Sequence, residues 1–231
     1  MSPTLLKFDN LVSGYGDTMV LRNVSGAVTQ GEVLGVLGRN GVGKTTLMKT
    51  LAGYIEPQSG SVVLNGRNIN ALAPQDGLRS GMAYAPQENV VFGELTVHEN
   101  LWLHLDDKDE SRYASCLENF PRLGERMGQR AGLLSGGERK LLSFTRTMGL
   151  SAPLTLLDEP TEGVQPENIQ RMADLVRSRC ARGATYVIVE QNLEFLLSVA
   201  TSVLVMDHGQ VLLDQSISGI SRNELEEYLM V

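Results

Sequence analysis

The segment Val33-Leu34-Gly35-Val36-Leu37 is an apolar run that passes without a polar break into Gly38-Arg39-Asn40-Gly41-Val42-Gly43-Lys44-Thr45, followed by Thr46-Leu47-Met48-Lys49-Thr50-Leu51. Glycines at 38, 41 and 43 suit neither a helix nor a strand interior, but they suit a loop whose backbone must take unusual φ values. G-x4-G-K-[ST] between a strand and a helix is the pattern of a phosphate-binding loop. Backbone N–H groups, bare of side chains, close around phosphate oxygens, and the following helix N-terminus adds partial positive charge. In that pattern Lys44 reaches the β- and γ-phosphates and the Thr45 hydroxyl holds Mg2+. Gly38, Arg39, Asn40, Gly41, Val42, Gly43 and Thr46 complete the nucleotide cradle. Such a loop hangs from the end of a parallel strand, which restricts the chain to an α/β architecture.

The rest of the chain fits that restriction. Leu5–Val12, Val33–Leu37, Ser61–Leu64, Met82–Tyr84, Leu154–Leu157, Thr185–Val189 and Ser202–Met206 read as strands. The runs around Val33, Leu154 and Tyr186 are nearly continuously apolar, as in strands buried on both faces. Asp207-His208-Gly209-Gln210 reads as a hairpin turn into Val211–Leu213. Thr96-Val97-His98-Glu99, Ser135-Gly136-Gly137-Glu138 and Ser221-Arg222-Asn223-Glu224 each fit the capping box that opens a helix. From about 88 to 150 strand signals stop and charge-rich helical sequence takes over. This predicts one domain over 1–231, in which 1–87 and 151–231 form the α/β lobe and 88–150 an inserted helical subdomain.

Composition narrows the partners. A formal charge of −7 argues against a dedicated nucleic-acid binder. No stretch approaches the roughly 18 apolar residues of a membrane span, and the first residues lack the layout of a secretion signal. Cys116 and Cys180 have no metal-ligand spacing and read as reduced thiols.

Leu154-Thr155-Leu156-Leu157-Asp158-Glu159-Pro160 is an apolar strand ending in two adjacent carboxylates. In a parallel sheet ligands sit at the C-terminal strand edge, so both acids arrive beside the phosphates. Asp158 fits an indirect Mg2+ ligand, and Glu159 is placed to orient and deprotonate an attacking water. In Leu134-Ser135-Gly136-Gly137-Glu138, a capping serine precedes two residues without side chains. That makes a bare helix N-terminus open to an anion.

With these three motifs in this order, the chain resembles the ATP-binding-cassette (ABC) ATPases, whose signature LSGG[EQ] lies between the phosphate loop and the acidic strand. The resemblance implies a P-loop cassette with a RecA-like α/β core, an antiparallel β subdomain and an inserted helical subdomain, using ATP and Mg2+. It implies that Ser135, Gly136, Gly137 and Glu138 contact ATP held by an opposite subunit, in a head-to-tail dimer. Tyr15, in Gly14-Tyr15-Gly16, matches the aromatic that stacks on adenine. Gln87, in Ala83-Tyr84-Ala85-Pro86-Gln87, matches the Q-loop glutamine that touches Mg2+ and links the lobes. Two positions depart from the general pattern: Gln165 stands where an aspartate is usual, and Gln191 where most cassettes carry a switch histidine. A glutamine amide can donate to a γ-phosphate but cannot take up a proton. His98, His104 and His208 fall outside the motifs and read as structural or surface residues.

These departures, with Phe120-Pro121-Arg122-Leu123-Gly124-Glu125-Arg126, Glu162-Gly163-Val164-Gln165-Pro166 and Val189-Glu190-Gln191-Asn192, look like the shorter ATPase subunit of bacterial branched-chain amino-acid importers and their urea-importing relatives. Arg139-Lys140 stands where many relatives have two glutamines. The resemblance implies a peripheral position on the cytoplasmic face of the inner membrane. It further implies a second, non-identical cassette, two permease subunits, a periplasmic binding protein delivering solute, and no nucleic acid. Arg122, Arg126, Arg139, Lys140 and Arg146 would give the helical lobe local positive charge where, with the Gln87 region, it receives the permease. An exporter ATPase is the alternative, and a cassette acting on nucleic acid or ribosomes a more distant one.

Overall fold

The computed structural model describes residues 3–88, 91–103, 105, 109 and 111–230; His104 lies outside the described residues. The strands are β1 (Thr4–Tyr15), β2 (Thr18–Thr29), β3 (Val33–Leu37), β4 (Ser59–Leu64), β5 (Arg67–Asn68), β6 (Met82–Ala85), β7 (Leu154–Asp158), β8 (Thr185–Val189), β9 (Ser202–Asp207) and β10 (Gln210–Ser216). The helices are α1 (Lys44–Leu51), α2 (Val97–Trp102), α3 (Ser111–Asn119), α4 (Pro121–Glu125), α5 (Gly136–Gly149), α6 (Pro166–Cys180), α7 (Leu193–Val199) and α8 (Arg222–Met230). Among the described residues, no helix is long and apolar enough to cross a membrane.

Two sheets form. One, in the order β10-β9-β3-β8-β7-β6, is parallel from β9 to β6 and closed by the antiparallel β9–β10 hairpin. The other is antiparallel, in the order β2-β1-β4-β5. Every residue of β3, β7 and β8 is buried, and alternate side chains enter two separate cores, as the two-residue period of a strand requires. Val33, Leu37, Leu157, Tyr186 and Ile188 join α5, α6 and α7. Leu34, Val36, Leu156, Val187 and Val189 join α1 and the antiparallel sheet. Each such fully buried aliphatic side chain contributes about 1.5–3 kcal/mol. Two-sided cover, from helices on one face and α1 with a second sheet on the other, explains why these strands show no polar alternation.

The predicted strands are present, and so is the turn at Asp207–Gln210, where His208 and Gly209 both take positive φ (44° and 75°) as a two-residue hairpin requires. All three capping boxes form. Two strands are missing from the sequence reading, the two-residue β5 and the long β2. The buried β2 residues Leu21, Val24 and Val28 recur at spacings of three and four, a helix-like period. Asn23 at φ 57° and the register shifts against β1 break the alternation that would have revealed it. Between β6 and β7 lie α2 to α5. His98 stacks on Trp102 at 4.4 Å between ring centroids.

Helix α5 ends in close contact with α3. Tyr113 is fully buried, donates to the Leu101 carbonyl at 2.5 Å, and covers Gly149 so closely that a Cβ there would lie 1.9 Å from Tyr113 Cε1. Helix propensity alone would make Gly149→Ala stabilising. Overpacking against the buried ring should instead destabilise the chain by about 1–3 kcal/mol, read as a lower urea midpoint. An unchanged or higher midpoint would show that the ring does not constrain the helix end.

Candidate functional site

The phosphate-loop residues lie between the end of β3 and the start of α1. Gly38 takes φ 151°, and a Cβ there would meet the Met206 carbonyl oxygen at 2.4 Å, so only glycine fits where the loop turns away from the sheet. Gly41, at φ 82°, faces open space. Helix α1 opens on Gly43 with no side-chain cap, which leaves its first backbone donors directed at the loop's concavity. Lys44 is 5% exposed and curls back over the loop, donating from Nζ to the carbonyls of Gly38 (2.7 Å) and Arg39 (2.8 Å). Burial pulls its pKa below the ordinary lysine value, while the carboxylates of Glu159, Asp158 and Glu190 act the other way.

Three neighbouring strands deliver polar residues to the same edge. Asp158, the last residue of β7, is 1% exposed. Among the described residues it receives two long hydrogen bonds, from Thr45 Oγ1 and from the Tyr84 hydroxyl, each at 3.4 Å. Burial pushes its pKa up to about 6, and the charge of Glu159 adds to the shift. Glu159 is next, at φ 47°, its N–H held by the Val189 carbonyl at 2.9 Å. Its Oε2 accepts from Gln87 Nε2 at 2.7 Å and its Oε1 from Gln191 Nε2 at 2.9 Å. Gln191 Nε2 also donates to Asn40 Oδ1 at 2.7 Å. The residues picked from four separate motifs thus form one hydrogen-bonded row, Gln87–Glu159–Gln191–Asn40, across the mouth of the phosphate loop. A cleft of about 740 Å3 is lined by this row together with Gly41, Gly43, Lys44, Thr45 and Thr46.

Tyr15 stands at the tip of the β1–β2 hairpin, 50% exposed, with Lys49 Nζ 5.8 Å from its ring centroid. Tyr15 does not line the cleft, whereas Val20 of β2 does. Ser135, Gly136, Gly137 and Glu138 are not brought to this cleft. They line a second one, of about 870 Å3, with Phe120, Val164 and Gln165. There Ser135 Oγ accepts the Glu138 N–H (3.3 Å), and the Glu138 carboxylate accepts from the Ser135 N–H (3.0 Å) and from Arg126 Nη1 (2.9 Å). The Ser135 amide and the nearby arginines hold its carboxyl below the usual carboxylate range.

Sequence reasoning passed over two anchors of this site. Glu190 is 2% exposed and accepts from the backbone N–H groups of Thr161 (2.8 Å), Gln191 (3.0 Å) and Asn192 (3.2 Å), so it joins the segment after β7 to the segment after β8. Its position, a carboxylate closing an all-apolar strand, is the same signal that singled out Asp158. Lys140, read as part of the positive charge with which the helical lobe receives the permease, is only 12% exposed in its side chain and reaches the backbone carbonyls of Gln87 and Glu159.

Among the described residues no three His, Cys, Asp or Glu side chains converge as a metal site of their own. A cation beside Thr45 and Asp158 would therefore rest largely on phosphate and water, the ligand set Mg2+ favours. The uncapped start of α1, the open face of Gly41 and the Thr45–Asp158 pair fit a magnesium–triphosphate group.

Residues 21–162 match the family model described as ABC transporter. The high-affinity branched-chain amino acid transport ATP-binding protein BraG of Pseudomonas aeruginosa is 35% identical, over 95% of this chain and 96% of its own. The lipopolysaccharide export system ATP-binding protein LptB of Acidithiobacillus ferridurans is 32% identical, over 90% and 88% of the two chains. A solved structure described as an ATP-binding subunit of an ABC transporter is 27% identical and superposes with a TM-score of 0.84, covering 98% of this chain and 100% of that one.

Because Asp158 titrates near 6 in the folded chain and near 3.8 when unfolded, its ionised form costs stability at neutral pH. Protonation removes that cost as pH falls from about 6 toward 4. Asp158→Asn should therefore stabilise the nucleotide-free chain at pH 7.5 by about 1–3 kcal/mol. That advantage should shrink steadily between pH 6.5 and 5 in thermal melts; a difference independent of pH would count against the raised pKa.

Proposed function

The chain belongs to the ABC transporter family, whose ATP-binding subunits bind and hydrolyse ATP, and on that premise we propose that it powers a bacterial importer of branched-chain amino acids or a related small solute such as urea. The observation that carries the ATPase site is the Gln87–Glu159–Gln191 row spanning the mouth of the phosphate loop. Similarity to BraG over nearly the whole length of both chains supports import and the solute class.

In this reading the N–H groups of Gly41 to Thr46 and the Lys44 ammonium bind the β- and γ-phosphates, and Tyr15 stacks on the adenine. Thr45, Asp158 and Gln87 are the residues that would hold Mg2+, which when bound neutralises charge developing between the β- and γ-phosphates. Glu159 orients the attacking water and accepts its proton. Each of its carboxylate oxygens already accepts one amide donor and keeps a second lone pair to accept from a water. Gln191, swung from Glu159 toward the loop, offers a neutral N–H to the γ-phosphate; lacking a titratable proton, it cannot serve as an acid.

Ser135, Gly136 and Gly137 open a helix away from the phosphate cleft, which supports a role toward nucleotide held by a second, head-to-tail cassette, non-identical in this reading. Two membrane permease subunits would receive the closing motion, and a periplasmic binding protein would deliver the solute. The chain would work at the cytoplasmic face of the inner membrane, without nucleic acid, in line with its net charge of −7. Similarity to LptB favours one second reading, an exporter ATPase.

Glu159→Gln should keep ATP affinity while turnover falls about 10²-fold or more, the loss expected of a missing general base. Lys44→Ala should weaken nucleotide binding itself in equilibrium titration; parental affinity in that variant would refute the phosphate-loop assignment. In cells carrying only the Glu159→Gln chain, uptake of radiolabelled leucine or urea should stop. Normal uptake of both, with loss of an exported envelope component, would favour the exporter.

A further inference from the structure

Lys140 lies on α5, one turn after the exposed helix start at Ser135, yet its side chain is almost fully enclosed. An ammonium carries three N–H donors, and here three acceptors surround it: the Gln87 carbonyl at 2.7 Å, the Glu159 carbonyl at 3.2 Å and Glu162 Oε2 at 3.4 Å. These acceptors come from two segments that continue different strands, β6 and β7. The same two segments supply Gln87 and Glu159, whose side chains meet at 2.7 Å. Glu159 sits at φ 47°, a conformation that residues with a Cβ hold only when the surroundings fix both of their peptide groups. Val189 holds its N–H and Lys140 its carbonyl. Through Lys140, α5 is bonded directly to the backbone that carries Glu159.

We propose that Lys140 is a positioning residue for hydrolysis: its ammonium sets the spacing between Glu159 and Gln87 and ties both to the helix that begins at Ser135. The assignment rests on Glu159 being the base and adds to it. A displacement of the Ser135 end of α5 is transmitted through one side chain to the backbone of the residue that activates water. Without the ammonium, Glu159 relaxes from its left-handed conformation and its carboxylate leaves the line of the attacking water.

The test uses the full chain carrying Lys140→Met, which keeps bulk and removes the donors, beside Lys140→Arg, which keeps charge and donors, and Glu159→Gln. In nucleotide-free protein, amide hydrogen exchange across 158–163 should quicken at least about fivefold in Lys140→Met while β3 and β9 exchange as in the parent. kcat should fall about tenfold or more, as misplacement of a reacting group predicts. KM and the equilibrium affinity for a fluorescent ATP analogue should stay within about twofold. Lys140→Arg should remain within about threefold of the parent in kcat. If Lys140→Met proves unfolded by circular dichroism, Lys140→Gln takes its place and is read the same way. A kcat within twofold of the parent, or a loss matched by an equal loss of ATP affinity, overturns the proposal. Turnover that survives in Glu159→Gln removes the base assignment whatever Lys140 does. Turnover lost in Glu159→Gln but kept in Lys140→Met removes only the role of Lys140.

Discussion

Strands covered on both faces have little room along their length for charged side chains, so their chemistry collects at their ends. In this chain β3, β7 and β8 are buried throughout, and polar residues gather where each one ends: Gly38 and its loop, Asp158 with Glu159, and Glu190 with Gln191. β6, beside β7, leads to Gln87. Parallel pairing puts all four ends on one edge of the sheet. The site is therefore a by-product of how the core is covered, and the hydrophobic registers of β3 against β8 and of β8 against β7 set its dimensions.

Electrostatics at that edge are unbalanced. The buried Lys44 ammonium faces the carboxylates Asp158, Glu159 and Glu190, and the Lys140 ammonium acts on Asp158 from the side of the helical lobe. Each is treated differently. Glu190 is satisfied by three backbone N–H groups and serves as an anchor. Asp158 is under-solvated and holds protons more tightly than a free aspartate. Glu159 is flanked by neutral amide donors, which support its charge without contributing charge of their own. Three acids side by side thus take up three different roles because burial and hydrogen bonding differ at each.

The features most legible in the sequence were those written in contiguous residues. A strand running into glycines, a strand ending in acids and a serine-capped glycine pair each encode their local geometry within ten residues, and each folds as read. Strand β2 was hidden because the bulge at Asn23 gives its buried residues a helical spacing. Lys140 was hidden for the opposite reason: on a helix of charged residues it looks solvated, and only the arrival of two distant segments encloses it. Spacing likewise could not tell that Ser135–Glu138 would line a different cleft from Lys44, since that depends on where α5 is carried by its packing.

The contact between Gly149 and Tyr113 bears on how α5 can move. With a fully buried ring against its last residue, the helix is packed most tightly at that end. A swing of the helix would take the Gly149 end as its fulcrum. Over fourteen residues the arm is about 20 Å long, so a tilt of about 3° carries the Ser135 end through about 1 Å. Lys140 lies partway along that arm and travels a smaller distance. The helix acts as a lever: an excursion at its Ser135 end becomes a displacement about two thirds as large at Lys140, where the backbone of Glu159 is held.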